Sequence, residues 1–186
     1  VAASLNGMGR LTLCIVGLSF MLVMSPAAAE VIAKDKTGFN LVITAEAQVS
    51  PMVAYTEFLN VGRWWLSSHT WFGDASALYI EPNVGGCFCE KKGENQNHHM
   101  LVTQIIPGKE VKMIGGLGPL QLMGLHGGMS WSFSAIQGGG TLITQIYNVT
   151  GYSPDGLDVL APIVDSVQTQ QTEALANYLN SLNTDE

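Results

Sequence analysis

Four imidazoles, His69, His98, His99 and His126, are the groups in this chain best suited to moving protons near neutral pH. Neighbours in a strand point to opposite faces, so His98 and His99 cannot both address one inward site. His69 or His99, with the Tyr147 hydroxyl as a third group, could exchange protons inside an apolar cavity. His98 and His126 suit a turn tip or the surface. No HxH, HxxxH or CxxC spacing is present, so no metal site is expected. There is no GxSxG and no recognisable Ser/His/Asp arrangement for nucleophilic catalysis. The glycine runs 115–118 and 138–140 fit neither a phosphate loop nor a dinucleotide fingerprint, and no cofactor is expected. Glu81, Glu90 and Arg63 are expected on solvated faces, with pairing of Arg63 to a strand carboxylate beneath the tryptophans as the alternative.

The apolar residues say more. Trp64, Trp65, Trp71 and Trp131 supply large aromatic surfaces, and Met113, Met123 and Met129 add adaptable, polarisable ones. Met129, Trp131 and Phe133 alternate with serines, so they share one face of a strand. Either these side chains fill a core, or some of them, with Tyr147, line a cavity for a bulky apolar or aromatic ligand.

The element that would position such a cavity is the C-terminal helix opened by Pro162. Its spacing of Val164, Gln168, Gln171 and Leu175 places these four on one face. Two amides thus interrupt an apolar stripe. Buried amides need partners. Either the helix is rotated to put Gln168 and Gln171 in water, or they face a cavity and bond the polar end of a ligand.

Upstream the chain reads mostly as strands. Phe39 to Val49 alternates as a first strand, and Ser50-Pro51 matches a helix start with serine as N-cap and proline at the first position. The short helix Met52 to Leu59 and a second one from Arg63 to His69 follow. Strands are expected at 77–81, 84–90, 98–106, 110–114, 129–135 and 141–149, joined by Pro, Gly and Asn turns. Repeated hairpins without βαβ alternation imply an antiparallel sheet in an α+β domain. The stretch Gly115 to Gly128 is too apolar for an ordinary solvated loop and could cover a cavity mouth. Cys87 and Cys89 lie two apart on one strand face; a bridge there would stretch the usual Cα separation of below about 6.8 Å, so they read as small buried hydrophobes.

The chain of 186 residues suits one domain, and 47% of it is hydrophobic. Met8-Gly9-Arg10, the apolar run Leu11 to Val23, and Ala27-Ala28-Ala29 before Glu30 have the three-part layout of a secretory signal peptide. The apolar run is shorter than the about 20 residues a spanning helix needs, so no stable membrane span is expected after its removal. Val1 to Gly7 reads as sequence upstream of a start at Met8. Cleavage after Ala29 would leave a polar lead-in (30–38), a domain over 39–182 and a tail (183–186), placed in the periplasm or outside the cell. That mature chain has seven basic against fifteen acidic residues, a net charge of −8, and no basic cluster, which disfavours nucleic acid as a partner. Oligomeric state is not legible.

Four stretches together resemble the START-like superfamily, also called SRPBCC or Bet v 1-like. They are the first strand with Ser50-Pro51, the Arg63-Trp64-Trp65 cluster, the segment from Ile80 through Pro82, Gly85 and Gly86 to Glu90, and the closing helix with Leu175, Tyr178 and Leu179. The look is nearest to the bacterial branch of the homologues of the heat-shock chaperone ATPase activator. The resemblance implies a helix-grip fold, a curved antiparallel sheet of about six to seven strands around the terminal helix with two short helices after the first strand. It implies an apolar cavity holding lipids, polyketides or aromatic molecules, with a minority of members acting as cyclases, dehydratases or hydrolases. The exported leader departs from that largely cytosolic branch.

Overall fold

The computed structural model describes residues 28–183. The signal peptide expected over the first 29 residues therefore lies almost wholly outside the described residues, as do tail residues 184–186. Eight strands form one antiparallel sheet: β1 (Ala28–Asp35), β2 (Gly38–Ala47), β3 (Leu78–Ile80), β4 (Cys87–Lys92), β5 (Asn95–Ile106), β6 (Glu110–Ile114), β7 (His126–Ala135) and β8 (Thr141–Thr150). Their order across the sheet is β1-β2-β8-β7-β6-β5-β4-β3. Strands β3 to β8 are a meander of successive neighbours, and β2 closes against the last of them over ten paired residues from Gly38↔Thr150 to Ala47↔Thr141.

The count is eight, above the six to seven expected, because the polar segment after Ala29 is itself a strand. It pairs with β2 from Ala28↔Thr44 to Asp35↔Gly38. Its side chains are nearly all exposed, so hydrogen bonding to an edge rather than hydrophobic periodicity makes it a strand.

Helix α1 (Pro51–Leu59) begins where the sequence places it, with Ser50 Oγ accepting from Val53 N. The second short helix is not formed. Residues 61–69 instead make two 3-10 turns, Val61–Arg63 and Ser67–His69. The reason is that consecutive Trp64 and Trp65 are both buried and both anchored through their indole N–H groups, Trp64 to Phe58 O at 3.1 Å and Trp65 to His69 O at 3.0 Å. A regular helix would turn them about 100° apart. Arg63 lies beside Glu57 of α1 at 3.7 Å and within 3.4 Å of the Tyr178 hydroxyl, not beneath the tryptophans.

Helix α2 (Ala161–Ser181) packs on the concave face, with Val164, Gln168, Gln171, Thr172, Leu175, Ala176 and Leu179 buried. Asn180 Oδ1 near its end accepts from Gln48 N at 2.7 Å, tying the helix to the end of β2. Between sheet and helices runs an aromatic file. Phe58 centres on Phe133, Trp131 and Trp64 at 5.5, 5.2 and 5.8 Å; Trp65 continues it from Trp64, and Phe88 and His99 end it.

Candidate functional site

A cavity of about 370 Å³ lies between the sheet, α2 and the segment after β6. Its wall is apolar: Trp65, Leu78 and Phe88 on one side, Leu117 and Leu120 above, Leu160, Val164 and Val167 from α2. Among the described residues lining it there is no Asp, Glu, Lys or Arg. Exposed Trp71, Met123 and Ile163, from three separate segments, ring its open side.

Of the expected ligand contacts, Trp65, Trp71, Met123, Tyr147, Val164 and Gln168 line this cavity, together with His69 and His99. Trp64, Met113, Met129, Trp131 and Phe133 do not; they are buried in the core behind the wall, where Trp64 and Trp131 back Trp65 through the aromatic file. Gln171 is fully buried but also absent from the wall, because its amide is spent on the 3-10 turn Ser67–His69. Sequence spacing assigns a side chain to a face, but the division of that face into solid core and void depends on what packs opposite.

The two amides of α2 face inward, and the helix is not rotated to put them in water. Gln168 Oε1 accepts from Gln145 Nε2 at 2.6 Å, and Gln145 Oε1 accepts from the Thr172 hydroxyl at 3.0 Å. Gln171 Oε1 accepts from Leu66 N at 3.0 Å, and Gln171 Nε2 lies 2.5 Å from His69 Nδ1. Each of these side-chain amides meets at least one partner, which lowers the cost of burying it.

Glu90, expected in water, is completely buried. Its carboxylate accepts from the backbone amides of Phe72 at 2.7 Å and Trp71 at 3.0 Å, and lies 3.3 Å from His99 Nε2. Glu90 shares a strand face with buried Phe88, two residues earlier, and this parity was the available signal. Strand β5 carries a bulge here: Phe88 pairs with Met100 and Cys89 with His98, leaving His99 as the extra residue. The bulge lets consecutive His99 and Met100 both turn inward while His98 stays exposed. Burial pushes the His99 imidazole below its ordinary range, with Glu90 opposing that shift. The neutral ring donates from Nε2 to Glu90, and Asn97 Nδ2 lies 3.4 Å from Nδ1. Both ring nitrogens are thereby occupied.

The cysteines of β4 are bonded to one another, against the expectation of two separate hydrophobes. Their Cα atoms lie 5.4 Å apart, against about 6.6 Å for two steps along a regular strand, beside the register shift between Phe88 and Cys89. The bridge and the Glu90 clamp thus occupy the same short strand.

Tyr147 secures the cover of the cavity. Its oxygen accepts from Leu117 N at 3.0 Å and lies 3.3 Å from Gly115 O, pinning the start of the segment 115–125. Gly127 on the neighbouring strand makes room for the ring, since a Cβ there would come within 2.6 Å of Tyr147 Cε2. Burial drives the Tyr147 hydroxyl up to about 12, which leaves it no capacity as a base near neutrality. Of the three acid–base candidates, only His69 keeps a ring nitrogen without a partner among the described hydrogen bonds.

No family model matches the chain, and no curated protein matches it. Solved structures do. CalU16 from Micromonospora echinospora is 12% identical, with 85% of this chain and 90% of that one covered at a TM-score of 0.53. The Mll3558 protein from Rhizobium loti is 16% identical, covering 83% and 100% at 0.54. Ara h 8.0201 is 13% identical, covering 77% and 99% at 0.52. The chain has the helix-grip fold. The likeness extends over most of each neighbour, and at these identities it concerns the backbone alone. Among the described residues no group of three or more His, Cys, Asp or Glu could hold a metal, and no helix is long and apolar enough to cross a membrane.

Proposed function

We propose that this helix-grip protein is an exported carrier that holds one small, neutral, hydrophobic molecule of lipid, polyketide or aromatic type between the sheet and α2. The observation that carries the reading is the charge-free, apolar cavity of about 370 Å³ roofed by Leu117 and Leu120. It falls within the about 300–1,000 Å³ typical of small-molecule sites. Affinity would come mainly from apolar burial, at about 25 cal/mol per Å². Nearness to the bacterial branch of the chaperone-activator homologues is part of this reading and rests on the residue pattern alone. Saturable enhancement of N-phenyl-1-naphthylamine fluorescence at one dye per chain tests the carrier role; a linear, unsaturated rise contradicts it.

A catalytic reading, of cyclase, dehydratase or hydrolase type, has one observation in its favour, a His69 ring nitrogen in the cavity wall with no partner among the described residues. Tyr147 and His99 are engaged elsewhere. Export is part of the proposal and rests on the leader ahead of Glu30. Cleavage after Ala29 would fall within β1 and leave the pairing from Glu30↔Val42 to Asp35↔Gly38. N-terminal sequencing of the protein from the cell exterior or periplasm should read Glu30 first; an intact Met8 start in the cytosol contradicts it.

A further inference from the structure

The polar groups of the cavity wall are unequal: nearly all are spent on the protein itself, and those left over on its inner surface are donors. Their orientations follow from groups that can act in only one sense. The amide N–H of Leu66 can only donate, so the Gln171 atom it meets at 3.0 Å is the carbonyl oxygen. The other end of that side chain, Nε2, also only donates, and it meets His69 Nδ1 at 2.5 Å. Nδ1 is therefore the bare nitrogen of the neutral ring, and the proton sits on Nε2. The Trp65 indole N–H bonded to His69 O at 3.0 Å holds the same residue from its backbone side.

Gln168 is the second donor. It is 2% exposed and lines the cavity. Gln145 Nε2 faces Met129 Sδ at 3.6 Å and Gln168 Oε1 at 2.6 Å; the sulfur can only accept, which puts the Gln145 nitrogen on this side, and the one Thr172 hydrogen is shared between Gln145 Oε1 and Gln168 O, each at 3.0 Å. Gln168 thus turns its Oε1 to Gln145, and its Nε2 hydrogens meet no partner among the described residues. Gln168 and Gln171 are three apart on α2, and Gln168 and the His69 ring held by Gln171 line the same cavity.

Elsewhere on the wall the polar groups are satisfied. Tyr147 bridges Leu117 and Gly115, His99 bridges Glu90 and Asn97, and Thr70 donates to Ser67 O while accepting from Asp74 N. Ser68 is exposed at the rim. A buried donor left unmatched is costly, and a ligand hydroxyl or amine would leave its own hydrogen without an acceptor.

We propose that the cavity selects neutral apolar molecules bearing a bare acceptor oxygen, of ketone, ester, lactone or quinone type, seated against His69 Nε2–H and Gln168 Nε2–H. This rests on the carrier role proposed above and specifies its ligand class. Fluorenone and fluorene share a skeleton and differ by the carbonyl, so isothermal titration of the full chain with each separates the two claims. Fluorenone should bind about tenfold tighter, the difference expected of one to two net hydrogen bonds. In Gln168→Met the ratio of the two affinities should shrink toward one. Independently of any variant, the carbonyl stretch of fluorenone bound to the wild-type chain should move to lower frequency than in an alkane. Equal affinities and an unshifted stretch overturn the donor assignment and leave the carrier role standing. Failure of both compounds to bind overturns the two together.

Discussion

Gln171 Nε2 and His69 Nδ1, 102 residues apart in sequence, lie 2.5 Å from each other, so the middle of α2 sets both the position and the tautomer of the one imidazole in the cavity wall that keeps a ring nitrogen without a partner among the described residues. Gln171→Leu would strand the Leu66 N–H and remove the donor to His69. The loss should be about 1–3 kcal/mol in urea unfolding. An unchanged midpoint would show that the amide is not the anchor described.

Glu90 is a clamp on the cavity rim as well as a buried charge. Glu90→Gln replaces one carboxylate oxygen by a donor against the amides of Trp71 and Phe72 and the His99 Nε2–H. Hydrogen bonds to a charged group are worth about 1.5–3 kcal/mol, and a comparable loss of stability is expected. Hydrogen exchange at the Trp71 and Phe72 amides should accelerate more than exchange in β8, which identifies the clamp rather than general loosening.

Stability should respond to pH through His99. Its folded value is depressed, so the unfolded chain takes up the proton first and stability falls as pH drops below about 6.5. Each unit of depression contributes about 1.4 kcal/mol once pH is below the folded value. Chemical unfolding at pH 7.5 and 5.5 should show a smaller difference for His99→Gln than for the wild type. An identical difference would remove His99 as the cause.

Much of this fold is legible from local chemistry, and the failures have local causes too. Ser50-Pro51, the hairpin partner Glu110–Ile114 and the opposed faces of His98 and His99 follow from capping, turn residues and strand parity. Gln168 and Gln171 stand out because they break an apolar stripe. Strand β1 escapes because its exposed residues carry no periodicity and only the β2 edge makes it a strand. Glu90 escapes because a lone carboxylate reads as solvated until the amides of residues 71 and 72 are folded onto it. Leu117, Leu160 and Ile163 enter the wall from loops and helix ends with no pattern of their own.

The bond between Cys87 and Cys89 predicts a tryptic fragment 64–91 lighter by two hydrogens than its dithiol form. Unreduced protein should resist alkylation at both positions. Alkylation of both without prior reduction would contradict the bridge.

Val164 faces the void, so Val164→Trp should occupy it at a modest stability cost, within the about 1–3 kcal/mol of overpacking. The saturable N-phenyl-1-naphthylamine signal should disappear in this variant while the far-ultraviolet circular dichroism stays that of the wild type. A retained signal would place the dye elsewhere.

Native mass spectrometry of the chain purified from the cells that make it tests the central claim most directly. The cavity reading predicts one neutral small-molecule adduct per chain, shed on mild collisional activation and absent from Val164→Trp. An identical adduct in wild type and variant, or a spectrum of bare polypeptide alone, would contradict it.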